Sequence, residues 1–271
     1  MSKFTVFGGR GFIGSEFVKE LRTQGHDVFV PEREDLSIYE DDLGTVIYSA
    51  GYGDCQRDQF NVLTANVILL SSLLQKAKFD KLVYISSTRV YMNQNESSEY
   101  SDVTICSKDN RRLFNLTKLT AEELCLKSER ECLIIRPSNV YGLALNSNLF
   151  LPSIIRNAIK NKHIDMYVDK NYEKDYVSVY DVVSSTLKLI KFPQEVNKII
   201  NISSGENISA NDIAQVLINK TGCSIKWKQT LNNTECFSPI DISYLKSLID
   251  YKPRTLINDI NNMVDSFIES I

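Results

Sequence analysis

Several features that would direct a chain toward nucleic acid, membrane or export are missing here. The 31 basic side chains are outnumbered by 34 acidic ones, giving a formal net charge of -3. That excludes the broad positive field on which non-specific nucleic-acid binding depends. Apolar runs such as Val67 to Leu70 fall far short of the roughly 20 residues a spanning helix needs. The opening MSKFTVFGG has no cationic stretch followed by an apolar core and cleavage site, so it is expected to enter a strand directly rather than act as a secretion signal. Only two histidines occur, His26 and His163, far apart in sequence. None of the six cysteines (Cys55, Cys106, Cys125, Cys132, Cys223, Cys236) forms a CxxC pair. A zinc site is therefore not expected, and the thiols read as small apolar groups of a reducing compartment. Repeats and low-complexity tracts are also missing. The expectation is a soluble, cytoplasmic, metal-free protein with no nucleic-acid or membrane partner.

What is present is an alternating pattern. Lys3 to Phe7, Asp27 to Val30, Thr45 to Ser49, Lys81 to Ser86 and Cys132 to Arg136 are short, apolar, β-branched runs bounded by breakers. Helical patterns lie between them at about Ser15–Gln24, Gln59–Ala77 and Asn110–Ser128. Near-continuous apolar strands separated by helices predict an α/β fold, a doubly wound parallel sheet covered on both faces. After Pro137 the pattern loosens, with helices expected near Pro152–Asn161, Asp181–Leu189, Asn211–Thr221 and Leu256–Ile271. The division predicted is a dinucleotide-binding core over residues 1–135. Residues 136–271 then form mainly a smaller substrate lobe, with segments returning to the core. The polar, aperiodic stretch Asn93 to Asn110 reads as a loop over the sheet's carboxyl edge.

Gly8-Gly9-Arg10-Gly11-Phe12-Ile13-Gly14 follows the first strand and opens the first helix. Glycines there permit a tight turn, close backbone approach to a pyrophosphate and close helix–strand contact, while free N–H groups at the helix start bind phosphate. A lone glycine pattern is weak, but the strand–turn–helix context favours a dinucleotide over a merely structural turn. The residues after the second strand, Pro31-Glu32-Arg33-Glu34-Asp35, bear on which dinucleotide. Arg33 and Arg10 together suit the 2′-phosphate of NADP by charge and bidentate geometry. The arginine pair makes NADP the expected cofactor; the acids beside Arg33 leave NAD open, and the bland alternative is that all these charges are solvated loop residues.

Beyond the glycine turn the chain resembles the extended short-chain dehydrogenase/reductases, the nucleotide-sugar epimerases, dehydratases and reductases. The resemblance runs through Tyr48-Ser49-Ala50-Gly51, Asn66, Tyr84 to Tyr91, Thr117 to Glu122, Arg136 to Gly142, Asp175 to Val179, Asn201 to Gly205 and a tail from Asp241 to Pro253. The Arg10 and Arg33 pair is further similar to the NADP-using GDP-fucose synthase branch. What the resemblance implies is hydride transfer at a sugar carbon, usually C4, of a nucleotide-linked sugar, in polysaccharide precursor synthesis. It assigns Gly8, Arg10, Gly11, Phe12, Ile13, Gly14, Arg33, Ala50, Gly51, Asn66 and Lys118 to the cofactor. It assigns Ser87 and Lys118 to catalysis, and Ser87, Thr88, Asn139 and Lys174 (with Asp175) to substrate. It also implies a homodimer through paired helices. The leucines Leu113, Leu116, Leu119, Leu124 and Leu126 spread over more than one helix face, enough to cover a sheet and meet a partner.

The sequence departs from the family pattern at one decisive place. Where a tyrosine supplies the proton four residues before the lysine, this chain has Phe114, in Phe114-Asn115-Leu116-Thr117-Lys118. The spacing puts positions 114 and 118 on one helix face. Three readings stand open: an engineered substitution, a natural one with the proton carried by Ser87, water, Tyr100 or Cys106, or a site that binds without chemistry. Ser87 is followed by Thr88 and Arg89 rather than an acidic pair, which argues against a 4,6-dehydratase. The short chain favours a compact reductase.

Overall fold

The computed structural model describes residues 1–145, 147, 149–192, 198–228 and 235–270. Strands β1 (Lys3–Phe7), β2 (Asp27–Phe29), β3 (Thr45–Tyr48), β4 (Lys81–Ile85), β5 (Cys132–Pro137) and β9 (Lys198–Ile202) form one parallel sheet in the order β2-β1-β3-β4-β5-β9. Both faces of these strands are apolar, and alternate side chains feed two separate cores. Val6, Val83, Ile85, Leu133 and Ile135 meet α1 (Phe12–Thr23) and α6 (Val179–Leu189) on one side. Phe7, Tyr48, Leu82, Tyr84 and Ile134 meet α3 (Leu69–Lys76) and α4 (Arg112–Lys127) on the other. This is the doubly wound α/β arrangement that the alternation predicts.

The long helix predicted over Gln59–Ala77 is not uniform. It runs as α2 (Gln59–Leu63), a wider turn over Thr64–Ile68 and then α3, and the wide turn carries the buried Asn66. Chain beyond β5 builds a second core. There α5 (Phe150–Lys160), α7 (Ala210–Thr221) and α9 (Leu256–Glu269) pack around Ile155, Ile164, Ile213, Leu217, Ile260 and Phe267. Two small sheets line its sides, β6 (Asn139–Tyr141) with β8 (Glu173–Ser178) and β10 (Asn207–Ser209), and β7 (His163–Met166) with β11 (Ser224–Trp227). The predicted last helix includes Ile271, which lies outside the described residues. A short helix absent from the sequence prediction, α8 (Ser243–Leu248), packs Leu245 onto the first core. Its six residues are too few to show a helical period.

Candidate active site

Strand order reverses at β1 and β3, so their carboxyl ends open on one crevice, the place where ligands sit in such sheets. The glycine turn approaches that crevice closely. Gly8 has φ +76°, and a Cβ there would lie 2.6 Å from the Ser49 carbonyl oxygen, so only glycine lets the two loops meet. Gly11 caps α1, whose first-turn N–H groups lack helical acceptors and are disposed to bind phosphate. The side chains of Phe12 and Ile13 lie elsewhere. The Phe12 ring lines a large neighbouring cavity, and Ile13 packs into the core.

After β3, Ala50 packs on the sheet and Gly51 lies directly against Lys118: a Cβ at Gly51 would fall 2.7 Å from Nζ. The backbone here is pinned by Asn66. Its Oδ1 accepts from Tyr52 N, and its Nδ2 donates to Tyr52 O and Thr117 Oγ1, all at 3.0 Å. The resemblance assigns Asn66 to the cofactor; the wide helical turn directs it inward beside Gly51, and both polar ends are engaged within the protein. These bonds hold the loop after β3 in place.

Lys118 is only 4% exposed, far from the solvated helix lysine that its residue type alone would suggest. Its Nζ donates to the Ile85 carbonyl oxygen at 2.8 Å and lies 4.9 Å from the Tyr84 ring centre and 5.6 Å from that of Phe114. Burial pulls its pKa down to about 8, against a smaller opposing pull from Glu122 one turn on. Ser87 sits beyond β4, where its Oγ accepts from Arg89 N at 3.1 Å and caps the turn Thr88–Tyr91. That leaves the hydroxyl proton free to donate to a ligand oxygen. Ser87, Thr88, Arg111, Phe114, Asn139 and Lys174 surround a cavity of about 130 Å³. Asn139 and Lys174 also wall a larger one of about 670 Å³ lined by Phe12, Tyr141, Phe150 and Tyr167.

Of the side chains offered by the sequence as alternative proton carriers, Ser87 lines this cavity, while Tyr100 and Cys106 do not. Tyr100 is 78% exposed with its ring against Tyr244, and Cys106 Sγ accepts from Asn93. Asp175, named with Lys174, is a structural acceptor for Ser138 Oγ, Ser204 N and Gly205 N. Asn139 donates to the Asp175 carbonyl oxygen. At the other end, Arg10 pairs with Glu32 and donates to the Pro31 carbonyl oxygen, while Arg33 is exposed.

Sequence reasoning missed a charged group under the smaller cavity. Arg89 bridges Asp109 at 2.8 Å and Glu235 at 2.7 Å, and Glu235 also accepts from Tyr172 and pairs with Lys174 at 3.6 Å. Burial would raise the Glu235 carboxyl, but Arg89 and Lys174 hold it down at about 2. Glu235 lies far along the chain from Arg89, so no local spacing could disclose the pair. Arg89 itself stood in view, directly after Ser87 and Thr88.

The glycine cradle, the orphan helix N–H groups and the buried lysine fit a dinucleotide. A family model described as the NAD dependent epimerase/dehydratase family matches residues 4–203. The chain belongs to that family. The match runs from β1 through β9, taking in the crevice, Ser87, Lys118 and the wall shared by the two cavities. Among curated relatives, an uncharacterized UDP-glucose epimerase of Bacillus subtilis is 22% identical over 95% of each chain. Among solved structures, MoeE5 in complex with UDP-glucuronic acid and NAD superposes with a TM-score of 0.87 at 20% identity, covering 99% of this chain and 100% of that one. RMD from Pseudomonas aeruginosa complexed with NADPH gives 0.80 at 20% identity over both full lengths. The family assignment made from sequence, the parallel α/β fold and the reading as an enzyme of this family stand.

Proposed function

We propose that this epimerase/dehydratase family member is a nicotinamide-dinucleotide-dependent epimerase or reductase acting at C4 of a nucleotide-linked sugar. The observation that carries this is Lys118, buried against Gly51 on the cofactor side and one helical turn from Phe114 on the cavity side. When bound, the dinucleotide supplies or accepts the hydride. The chain's own part is to hold reactants and handle a proton. Ser87 donates to the sugar oxygen, the Lys118 ammonium holds the nicotinamide ribose, and the larger cavity takes the nucleoside, leaving the diphosphate at Asn139 and Lys174. Phe114 preserves the ring that positions the sugar but has no proton to exchange. This favours one second reading, a homologue that binds sugar nucleotide with little turnover.

NADP(H) preference rests on Arg10 and Arg33, and Glu32 opposes it: its carboxylate already neutralises Arg10 where a 2′-phosphate would need the cation. We place the enzyme in the cytoplasm, in polysaccharide precursor synthesis, and as a homodimer. Exposed Phe60 and Leu63 on α2, Ile68 in the wide turn that follows it and Leu116 on the neighbouring α4 support the dimer. Among the described residues, no helix is long and apolar enough to cross a membrane. The deciding experiment mixes the protein with NAD(H) or NADP(H) and with UDP-, dTDP- and GDP-linked sugars, and follows epimer or reduced product by mass spectrometry and NMR. Product with any pair supports the enzyme reading. Tight binding of a sugar nucleotide without product supports the binding homologue, and no binding at all removes both.

A further inference from the structure

The smaller cavity holds a guanidinium that, among the described residues, has no ion-pair partner of its own. Arg111, at the start of α4, stacks 4.8 Å from the Phe114 ring centre, beside Gly53, and its side-chain nitrogens make no hydrogen bond among the described residues. Every carboxylate around it is already engaged. Asp109 accepts from Arg89, from Arg111's own main-chain N and from Asn115. Glu235 serves Arg89, Tyr172 and Lys174, and Asp175 takes Ser138 and two main-chain N–H groups. A second spare donor lines the same cavity: Arg89 is 7% exposed, and its buried Nε has no hydrogen-bond partner among the described residues. Burial, and then the neighbouring Arg89, push the Arg111 pKa down, and the more distant pull of Glu235 and Asp109 does not make this up.

Buried charge is costly unless paired, and a guanidinium presents a planar fork that a carboxylate matches with two hydrogen bonds. Position tells which part of a ligand would bring that carboxylate. Lys174 and Asn139 face both cavities, whereas Arg89 and Arg111 line only the smaller one, beside Ser87 and Phe114. A diphosphate joining the two cavities would lie at Lys174. The group reaching Arg111 belongs to the sugar.

We infer that the sugar of the substrate carries a carboxylate, a uronic acid, bound by Arg111 with Arg89 behind it. This rests on the nucleotide-sugar reading above. The test is calorimetric titration of the dinucleotide-saturated protein with two matched pairs, UDP-glucuronic acid against UDP-glucose and GDP-mannuronic acid against GDP-mannose. In at least one pair the acid should bind more than tenfold tighter, and Arg111→Gln should reduce that ratio to about twofold. Arg111→Lys, keeping charge without the fork, should retain an intermediate ratio, and circular dichroism reports whether each variant is folded. Equal affinity within every pair that binds overturns the inference, as does a preference that survives Arg111→Gln. An equal loss for acid and neutral sugar overturns it too, because Arg111 would then hold the diphosphate. Failure of all four to bind, with the dinucleotide still bound, removes the nucleotide-sugar reading beneath it.

Discussion

Position 114 separates binding from chemistry. The phenyl ring packs between Arg111 and the Lys118 ammonium, so Phe114→Tyr should add a hydroxyl without rebuilding the pocket. A positioned acid–base group is typically worth about 10²–10⁴-fold in rate, so turnover should rise by that order while the substrate dissociation constant changes little. Ser87→Ala should then lower the restored rate by removing the donor to the sugar oxygen. If tyrosine adds nothing to an already fast protein, stopped-flow rates will show it and another group moves the proton. Lys118 makes a separate prediction in the absence of any ligand. Its folded pKa of about 8 lies below the ordinary value of 10.5, so the unfolded chain binds more protons between those pH values. Stability therefore rises as pH increases from about 8 to 10.5, and below that window the buried charge is a standing cost. Lys118→Met should stabilise the protein at pH 7 by about 1–3 kcal/mol in urea unfolding, and dinucleotide affinity should fall. The gain should disappear near pH 10.5.

Elements were legible where their period was strong and their ends carried breakers. All five predicted core strands and the helices α1, α4, α5, α6, α7 and α9 occur within a few residues of the positions read from apolar spacing. The wide turn at Thr64–Ile68 was not readable, because Asn66 looks like any polar residue in a helix until Thr117 and Tyr52 are brought beside it. Family position points it at the cofactor, and only the fold shows that its polar atoms also tie the neighbouring loop to the helix. Short strands are expected between the later helices, but the positions and pairing of β6, β8 and β10 were not readable: they pair across large sequence separations, which local pattern does not encode. At this scale α2, the wide turn after it and α4 carry the dimer prediction. Phe60 is 75% exposed, Ile68 50% and Leu116 42%. Light scattering should give twice the chain mass of 30.9 kDa, and Leu116→Glu combined with Ile68→Glu should return it to one. A monomer at micromolar concentration in the unmodified protein would end that claim. At the edge of β2, Glu32→Gln should release Arg10 and raise NADP(H) affinity relative to NAD(H) by several-fold, measured by fluorescence titration. No change in the ratio would mean that the pair plays no part in cofactor choice.

Across the whole molecule, the charged residues that matter are linked over distances no motif spans. Glu122 of α4 pairs with Arg136 of β5, Arg136 donates to the Tyr91 hydroxyl, and Tyr91 bonds Asn201 of β9. The family motifs contain most of these residues, yet only the folded chain shows that they form one buried line. Removing one partner of a buried ion pair strands the other, so Glu122→Ala should cost about 3–5 kcal/mol, read from the chemical unfolding midpoint. Asp175 has a comparable reach from the other side. It stands in β8 of the small lobe, yet its carboxylate takes the Ser138 hydroxyl just past β5 and the amides of Ser204 and Gly205 just past β9. Those amides sit in a turn that would ordinarily exchange with solvent quickly. Held by a carboxylate that is itself 3% exposed, they should instead exchange their hydrogens as slowly as the sheet interior, opening only when lobe and sheet come apart together. Asp175→Asn should speed that exchange at Ser204 and Gly205 first, before the strands beside them lose protection.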